Sequence, residues 1–111
     1  ATALNEIACQ SKVSILLDEK ALPVKPEVAG ASELLGFDPL YIANEGKLLA
    51  IAPPEDIPAL LEVMHNHPYG ESAVVIGEVL ETSPGKLLLK TGLGSTRIVD
   101  TLSGEMLPRI C

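Results

Sequence analysis

The stretch "TALNEIACQSKVSILLD" (residues 2–18) changes from a helical to a strand-like pattern, and this change sets the fold class. From Leu4 to Ser11 the small and apolar letters recur at helical spacing, which predicts a helix over roughly residues 2–10. The β-branched and apolar letters of residues 12–18 predict a strand directly after it. A helix that leads straight into a strand is typical of an α+β layer.

The rest of the chain repeats this mixture of patterns. Pro26 suits a first helical turn and Gly36 suits a C-terminal stop, so Val28, Ala31 and Leu35 are expected on one helical face. A third helix is predicted within residues 53–68, with one apolar face formed by Ile57, Leu60, Leu61 and Met64. Strands are predicted at 47–52, 72–81, 86–90 and 96–100, the last three as a meander with turns at 83–85 and 92–94.

The fold class is therefore α+β, a mixed or antiparallel sheet with helices packed on one face. Residues 1–100 are expected to form one domain, because 111 residues of which 47% are apolar support a single core. Residues 101–111 have no sustained period and are predicted to be a mobile tail.

Charge and composition exclude several classes of function. The net charge of −7 and the absence of Trp argue against a nucleic-acid partner. No apolar run approaches the ~18–20 residues that a membrane span needs. No signal peptide opens the chain, so a soluble, cytoplasmic protein is expected. The first residue, Ala1, suggests a fragment or a processed chain.

The cysteines differ in their predicted surroundings. Cys9 lies in the helical pattern and is expected to be a small core residue. Cys111 ends a tail that can reach roughly 35 Å, with Gly104 as a hinge. The positive charge of Arg109 favours the thiolate form of Cys111, whereas the negative charge of the terminal carboxylate disfavours it. The alternatives are an accidental cysteine at a frayed end, or a regulatory disulfide between the two.

Other polar residues also have two interpretations each. Glu45, in the loop Asn44–Glu45–Gly46 before a predicted buried strand, suits a general base, or else is a solvated acid beside Lys47. His65 and His67 form H-x-H, but without a second ligand pair the helix dipole explains them better than a metal does. Gly92 and Gly94 lie between strands, so they indicate a hairpin turn rather than a phosphate cradle.

Several blocks together resemble the C-terminal part of the HypE family of hydrogenase maturation proteins. The chain ends in that family's Pro108–Arg109–Ile110–Cys111 motif. Further blocks are "LNEIA" (4–8), "LLGFDPLYIANEGKLLAIAPPED" (34–56), "HP" (67–68), "IGEV" (76–79) and "RIVD" (97–100). The central block is shared with the wider superfamily of aminoimidazole-ribonucleotide-synthetase-like ATP enzymes.

The resemblance implies a carbamoyl-cysteine dehydratase, a lyase that makes the cyanide ligands of NiFe-hydrogenase. The carbamoyltransferase HypF places a carbamoyl group on Cys111, and ATP-dependent dehydration gives a thiocyanate. Cyanide then passes to iron on the HypC–HypD scaffold complex. By the same resemblance Glu45 is the base. Asn44 and Lys47 are its possible supporting residues.

The resemblance also implies what this chain lacks. The family's N-terminal domain, which binds ATP and Mg²⁺ and forms a homodimer, has no counterpart here. We therefore expect a truncated domain that binds no cofactor or metal and is inactive alone. The alternative is a non-catalytic interaction module whose C-terminal tail docks into a partner protein.

Overall fold

A computed structural model describes residues 1–82 and 84–101. This part of the chain contains three α-helices and four strands, and it confirms the predicted α+β class with a mixed sheet. The helices are α1 (Thr2–Ser11), α2 (Pro26–Leu35) and α3 (Ile57–His65); the strands are β1 (Ser14–Asp18), β2 (Gly77–Leu80), β3 (Leu87–Lys90) and β4 (Thr96–Ile98). Most of the predicted tail, residues 102–111, lies outside the described residues.

The sheet has the strand order β2-β1-β3-β4, with β1 inserted between two strands that come much later in the chain. β1 pairs antiparallel with β2 and parallel with β3, and β3 pairs antiparallel with β4. The predicted meander is therefore wrong for β2 and β3 and correct only for the β3–β4 hairpin. A parallel pair needs a long crossover between its strands, and the intervening chain supplies it.

The apolar core lies between α1 and one face of the sheet. Because side chains alternate along a strand, Ile15 and Leu17 point to the same face as their partners Leu87 and Leu89. The buried apolar residues are Leu4, Ala8, Ile15, Leu17, Leu87, Leu89 and Val99. Burial of this apolar surface is the main favourable contribution to folding of this region.

Helix α1 buries Leu4 and Ala8, whereas Cys9 is exposed. The prediction that Cys9 belongs to the core is wrong. In a helix of 3.6 residues per turn, Cys9 lies about 140° around the axis from Leu4 and so points away from the sheet. The helix ends at Lys12, which adopts the left-handed conformation (φ 55°) and lets its amide donate to the last carbonyls.

Gly77 marks the closest approach between β2 and β1. A Cβ atom at this position would collide with the carbonyl oxygen of Leu16 on the neighbouring strand. Glycine is therefore required here by space, since its own backbone angle is not left-handed.

Helix α2 has the predicted bounds, and Gly36 ends it with φ 73°. Its predicted apolar face is not buried, however, because Val28 and Leu35 are both exposed and Ser32 is the buried residue. Helical periodicity shows which side chains share a face, but it does not show whether another part of the fold packs against that face.

Residues Asn44–Val75 form a second compact unit, distinct from residues 1–43 and the described residues from Ile76 on. Within it, α3 turns its predicted face inward: Ile57, Leu60, Leu61 and Met64 are half-buried while the other residues of the helix are exposed. The strand predicted at 47–52 is wrong, because this run forms no strand and Leu48 is 79% exposed. Among the described residues no strand pairs with it.

None of the helices in the described part of the chain is long and apolar enough to cross a membrane.

Candidate functional site

The loop that carries Glu45 follows the first unit of the fold directly along the chain. Asn44, Glu45 and Lys47 are all exposed, and Gly46 between them has a φ of 78°, which turns the backbone sharply. Within residues 1–82 and 84–101 the ion pairs do not include Glu45 or Lys47. Glu45 is therefore an accessible carboxylate that Lys47 does not neutralise.

Just before this loop, a short 3-10 turn (Pro39–Tyr41) contacts the end of β4, and we call this contact the junction. The phenolic hydroxyl of Tyr41 donates a hydrogen bond of 2.8 Å to the carbonyl oxygen of Asp100. The guanidinium of Arg97 forms an ion pair of 3.1 Å with Asp38. Each bond joins residues that are 59 positions apart in sequence.

Asp38 organises the turn side of the junction. One of its carboxylate oxygens accepts the backbone N–H of Leu40 at 3.0 Å, which caps the turn, while the other accepts from Arg97. The carboxylate thus fixes the local turn and the distant strand at once. A hydrogen bond to an ionised group is stronger than one between neutral groups.

Helix α1 supports both sides of the junction. The amino group of Ala1 donates to the carbonyl oxygen of Leu40 at 2.6 Å, and the side-chain amide of Asn5 donates to that of Val99 at 2.9 Å. Burial lowers the pKa of the Ala1 amino group, and the nearby Asp38 carboxylate offsets this in part.

The terminal motif Pro108–Arg109–Ile110–Cys111 lies outside the described residues, so the surroundings of the thiol stay a prediction. The described chain reaches Thr101, one residue beyond the junction. The predicted tail follows Asp100, whose carbonyl oxygen accepts the Tyr41 hydroxyl, and the Glu45 loop follows Tyr41 along the chain. Sequence analysis points to these two segments separately, and the structure shows that their starting points are bonded together.

A groove of about 230 Å³ lies beside the junction in the same unit. Its walls are mostly apolar, and its charged residues are Glu19, Asp38 and Arg97. Arg97 is already paired with Asp38, and Glu19 accepts the amide of Gly92 at 3.3 Å. A polyphosphate would have to displace an existing carboxylate from the arginine.

The N-termini of α2 and α3 do not provide a nucleotide site either. α2 carries Glu27 in its first turn, and α3 follows the acidic pair Glu55 and Asp56. Carboxylates at these positions occupy the places where phosphate groups bind favourably. Neither the groove nor these two helix N-termini fit ATP, and we assign none of their residues to it.

The two histidines have structural partners. The Nε2 atom of His65 lies 2.7 Å from the carbonyl oxygen of Ala73, and Nδ1 of His67 accepts the amide of Tyr69 at 3.1 Å. No group of three or more metal-ligating side chains occurs in the described part of the chain. Gly94, with φ 90°, belongs to the predicted hairpin turn between β3 and β4.

Sequence analysis did not identify the junction residues Asp38, Tyr41, Arg97 and Asp100. Asp38 and Tyr41 belong to the "DPLYIANEGK" block, and Arg97 and Asp100 belong to the "RIVD" block. Both blocks carried the family resemblance, and this was the available signal. No local pattern pairs residues that are 59 positions apart.

The fold and the site define a class of protein. The chain belongs to the family described as AIR synthase related protein, C-terminal domain, whose model matches residues 1–90. Within that class it is similar to Carbamoyl dehydratase HypE of Cupriavidus necator H16, with 56% identity over 111 residues, or 100% of this chain and 32% of the relative. The resemblance to HypE is thereby confirmed.

Solved structures agree with this assignment. The hydrogenase maturation protein HypE in complex with ATP matches with a TM-score of 0.89 and 41% identity over 99% of this chain and 34% of that one. A HypE–HypF complex matches with a TM-score of 0.83 and 39% identity over 89% of this chain and 32% of that one. The chain spans about a third of the length of the curated relatives it matches.

Proposed function

We propose that this chain forms the C-terminal domain of a carbamoyl dehydratase that acts in hydrogenase maturation, with Cys111 as the covalent carrier and Glu45 as the base. The observation that carries the proposal is the 56% identity to a carbamoyl dehydratase, which extends over all 111 residues and so includes the last one. The accessible position of Glu45 is compatible with a substrate that arrives on a tail.

The chemistry assigns one task to each residue. The Cys111 thiolate attacks the carbamoyl carbon of the group that HypF delivers, and a thiocarbamate, R–S–CO–NH₂, forms as the donor's bond to that carbon breaks. Dehydration then removes the oxygen and both N–H protons and leaves R–S–C≡N. ATP, as the second substrate, accepts the oxygen on its transferred phosphoryl group.

The nitrogen loses its first proton to solvent as the carbonyl oxygen takes the phosphoryl group, which leaves a C=N bond. Glu45 would accept the second proton as the C–O bond breaks, so the electron pair of that N–H bond completes the C≡N bond and inorganic phosphate leaves. Since Glu45 is exposed in the described residues, a further surface has to exclude water from it during this step. We assign that surface, the ATP site with its Mg²⁺ and any homodimer contact to the part of the relatives that this chain does not span. Transfer of cyanide to a HypC–HypD complex would follow, in the cytoplasm.

Intact-mass spectrometry tests the carrier role. The chain is incubated with HypF, carbamoyl phosphate and ATP, beside the variants Cys111→Ala and Cys9→Ala. Cys9 is the matched control, because it is the other cysteine and is exposed. We expect a gain of one carbamoyl group in the parent chain and in Cys9→Ala, and none in Cys111→Ala. A gain that follows Cys9 instead would refute the carrier role, and so would a gain in all three.

The role of Glu45 needs the complete reaction, so residues 1–111 replace the matching segment of the Cupriavidus necator relative. We expect Glu45→Gln to slow thiocyanate formation by roughly 10²–10⁴-fold, the usual contribution of a general base. Glu62→Gln, an exposed glutamate on α3, is the matched control and should retain the parent rate. Equal rates for both variants would remove Glu45 from the mechanism.

A further inference from the structure

Residues 65–73, which we call the α3 exit, carry a motif that the proposed function does not use. The "HP" block (67–68) contributed to the family resemblance, yet the proposed reaction gives it no task. We infer that the α3 exit is a proton-sensitive turn, which neutral His67 holds closed and protonated His67 opens, while His65 keeps its own bond in either charge state. This inference does not depend on the proposed function.

Backbone hydrogen bonds fold the α3 exit against the end of the helix. The amide of His67 donates to the carbonyl oxygen of Met64 at 3.0 Å, and the amide of Gly70 donates to the carbonyl oxygen of His67 at 2.9 Å. The second bond closes a four-residue turn, with Pro68 at the position where proline is favoured. A Cβ atom at Gly70 would collide with the Met64 carbonyl, which shows how closely the turn approaches the helix.

The bond inside this turn defines where His67 carries its proton. The backbone N–H of Tyr69 donates to Nδ1 of His67 at 3.1 Å. A ring nitrogen accepts a hydrogen bond only when it carries no proton, so His67 is neutral and its proton lies on Nε2. Protonation between about pH 8 and pH 5, where histidine changes its charge, points an N–H from Nδ1 at the N–H of Tyr69. The hydrogen bond is then lost.

His65 responds in the opposite direction, because its partner is an acceptor. Its Nε2 atom lies 2.7 Å from the carbonyl oxygen of Ala73, so this nitrogen carries the proton and donates it. A protonated ring keeps that N–H, and a charged donor bonds more strongly than a neutral one. His65 also lies in the last turn of α3, where the helix dipole favours a cation. Acid therefore opens the middle of the α3 exit and strengthens the bond that joins its ends.

The described surroundings of the two histidines do not oppose this response. Both rings are exposed, and so are Glu62 and Glu71, the acidic residues nearest to them along the chain. Within residues 1–82 and 84–101 the ion pairs include neither histidine. The ring of Tyr69 faces that of His67, with 5.5 Å between their centroids. An aromatic ring attracts a cation, so this contact survives protonation, but it cannot replace the lost acceptor.

NMR spectroscopy of the nitrogen-15-labelled chain tests the inference directly. A hydrogen bond between two nitrogen atoms gives a scalar coupling, here between the amide nitrogen of Tyr69 and Nδ1 of His67. We expect this coupling at about pH 7.5 and its loss at about pH 5, where the imidazole is protonated. The nitrogen-15 shifts of the ring report its charge in the same samples.

Variants at these positions separate the titration from other effects of pH. In His67→Asn the side-chain oxygen accepts the same amide without titrating, so the Tyr69 amide resonance should stay in place between the two pH values. In His67→Ala the acceptor is absent, and the resonance should lie at the low-pH position of the parent chain throughout. His65→Gln is the matched control and should retain the parent's pH response. Tyr69→Leu removes the ring but keeps the amide, so the coupling at residue 69 should persist.

The outcomes decide between the α3 exit and other sources of pH dependence. A resonance at residue 69 that moves in His67→Asn as far as in the parent chain would overturn the inference. A coupling that is absent at about pH 7.5, or that persists once the ring shifts report an imidazolium, would overturn it as well. The substituted side chains are exposed, so the fold should tolerate each change, and circular dichroism checks this. Because no catalytic step is measured, failure of the proposed function would leave these results unchanged.

Discussion

The tripeptide Lys-Leu-Leu occurs twice, at residues 47–49 and 86–88, and the two copies have opposite surroundings. Leu87 is completely buried in β3 beside β1, whereas Leu48 is 79% exposed and belongs to no strand. The difference lies in the neighbouring strand. Leu87 pairs with Ile15 of β1, whereas no strand among the described residues pairs with Leu48. Strand propensity describes how well a residue fits a half-buried sheet, and it does not create the sheet.

The contrast extends to the whole of both units. Every buried apolar residue among those described lies in the sheet unit, and no residue of Asn44–Val75 is buried. In that second unit Leu48, Ile51 and Val63 are each more than half exposed. The stability of the described fold should therefore depend on the first unit, and substitutions in the second should have local effects.

The largest expected effect is a direct test of the repeated tripeptide. Leu87→Ala should lower the free energy of unfolding by about 2–5 kcal/mol, because it leaves a cavity in a packed core. Leu48→Ala should change it by less than about 0.5 kcal/mol, because its side chain is already in solvent. Urea unfolding monitored by circular dichroism measures both, and comparable losses would show that Leu48 is covered in solution.

A glycine pair gives the next comparison. A Cβ at Gly77 would strike the carbonyl oxygen of Leu16. A Cβ at Gly70, which follows α3, would strike the carbonyl oxygen of Met64 in that helix. Each alanine variant forces the backbone to shift, at about 1–3 kcal/mol.

Hydrogen exchange distinguishes where that cost falls. Gly77→Ala should accelerate amide exchange throughout the sheet, whereas Gly70→Ala should accelerate it only near the end of α3. Gly30→Ala serves as the control, because no atom lies near its added methyl group. Faster exchange in β1 and β3 for Gly70→Ala would contradict the independence of the two units.

The smallest expected effect concerns the edge of the sheet unit. Arg97→Gln breaks a partly exposed ion pair and should lower the free energy of unfolding by at most about 1 kcal/mol. The loss should shrink further at 1 M salt, because screening weakens the pair in the parent chain. Urea unfolding at low and high salt tests this, with Lys90→Gln as the control. A loss as large as that of Leu87→Ala would mean that the junction belongs to the core.

The parts of the fold that sequence analysis predicted are those with a local physical cause. Pro26 and Gly36 define α2 because one fixes φ for the first turn and the other adopts the left-handed conformation after the last. The inward face of α3 follows from the spacing of Ile57, Leu60, Leu61 and Met64. Gly94 turns the β3–β4 hairpin because its φ of 90° favours glycine.

The parts that sequence analysis missed depend on distant partners. The position of β1 between β2 and β3 has no local signal, and neither does the exposure of Leu48 or Val28. For the site, the family motif pointed to Glu45 and Cys111, but the contact between Tyr41 and Asp100 required coordinates. Cys9 was misjudged because its neighbour Ala8, one position away, is the residue that faces the sheet.

The position of β1 also has a consequence for how the chain folds during synthesis. β1 ends at Asp18, yet its partners begin at Gly77 and Leu87, so both edges of this apolar strand stay unpaired until most of the chain has left the ribosome. Contacts between residues so distant in sequence form slowly, and an unpaired apolar strand is prone to aggregation in the meantime. The nascent chain should therefore depend on chaperones more than a fold of similar size built from neighbouring hairpins.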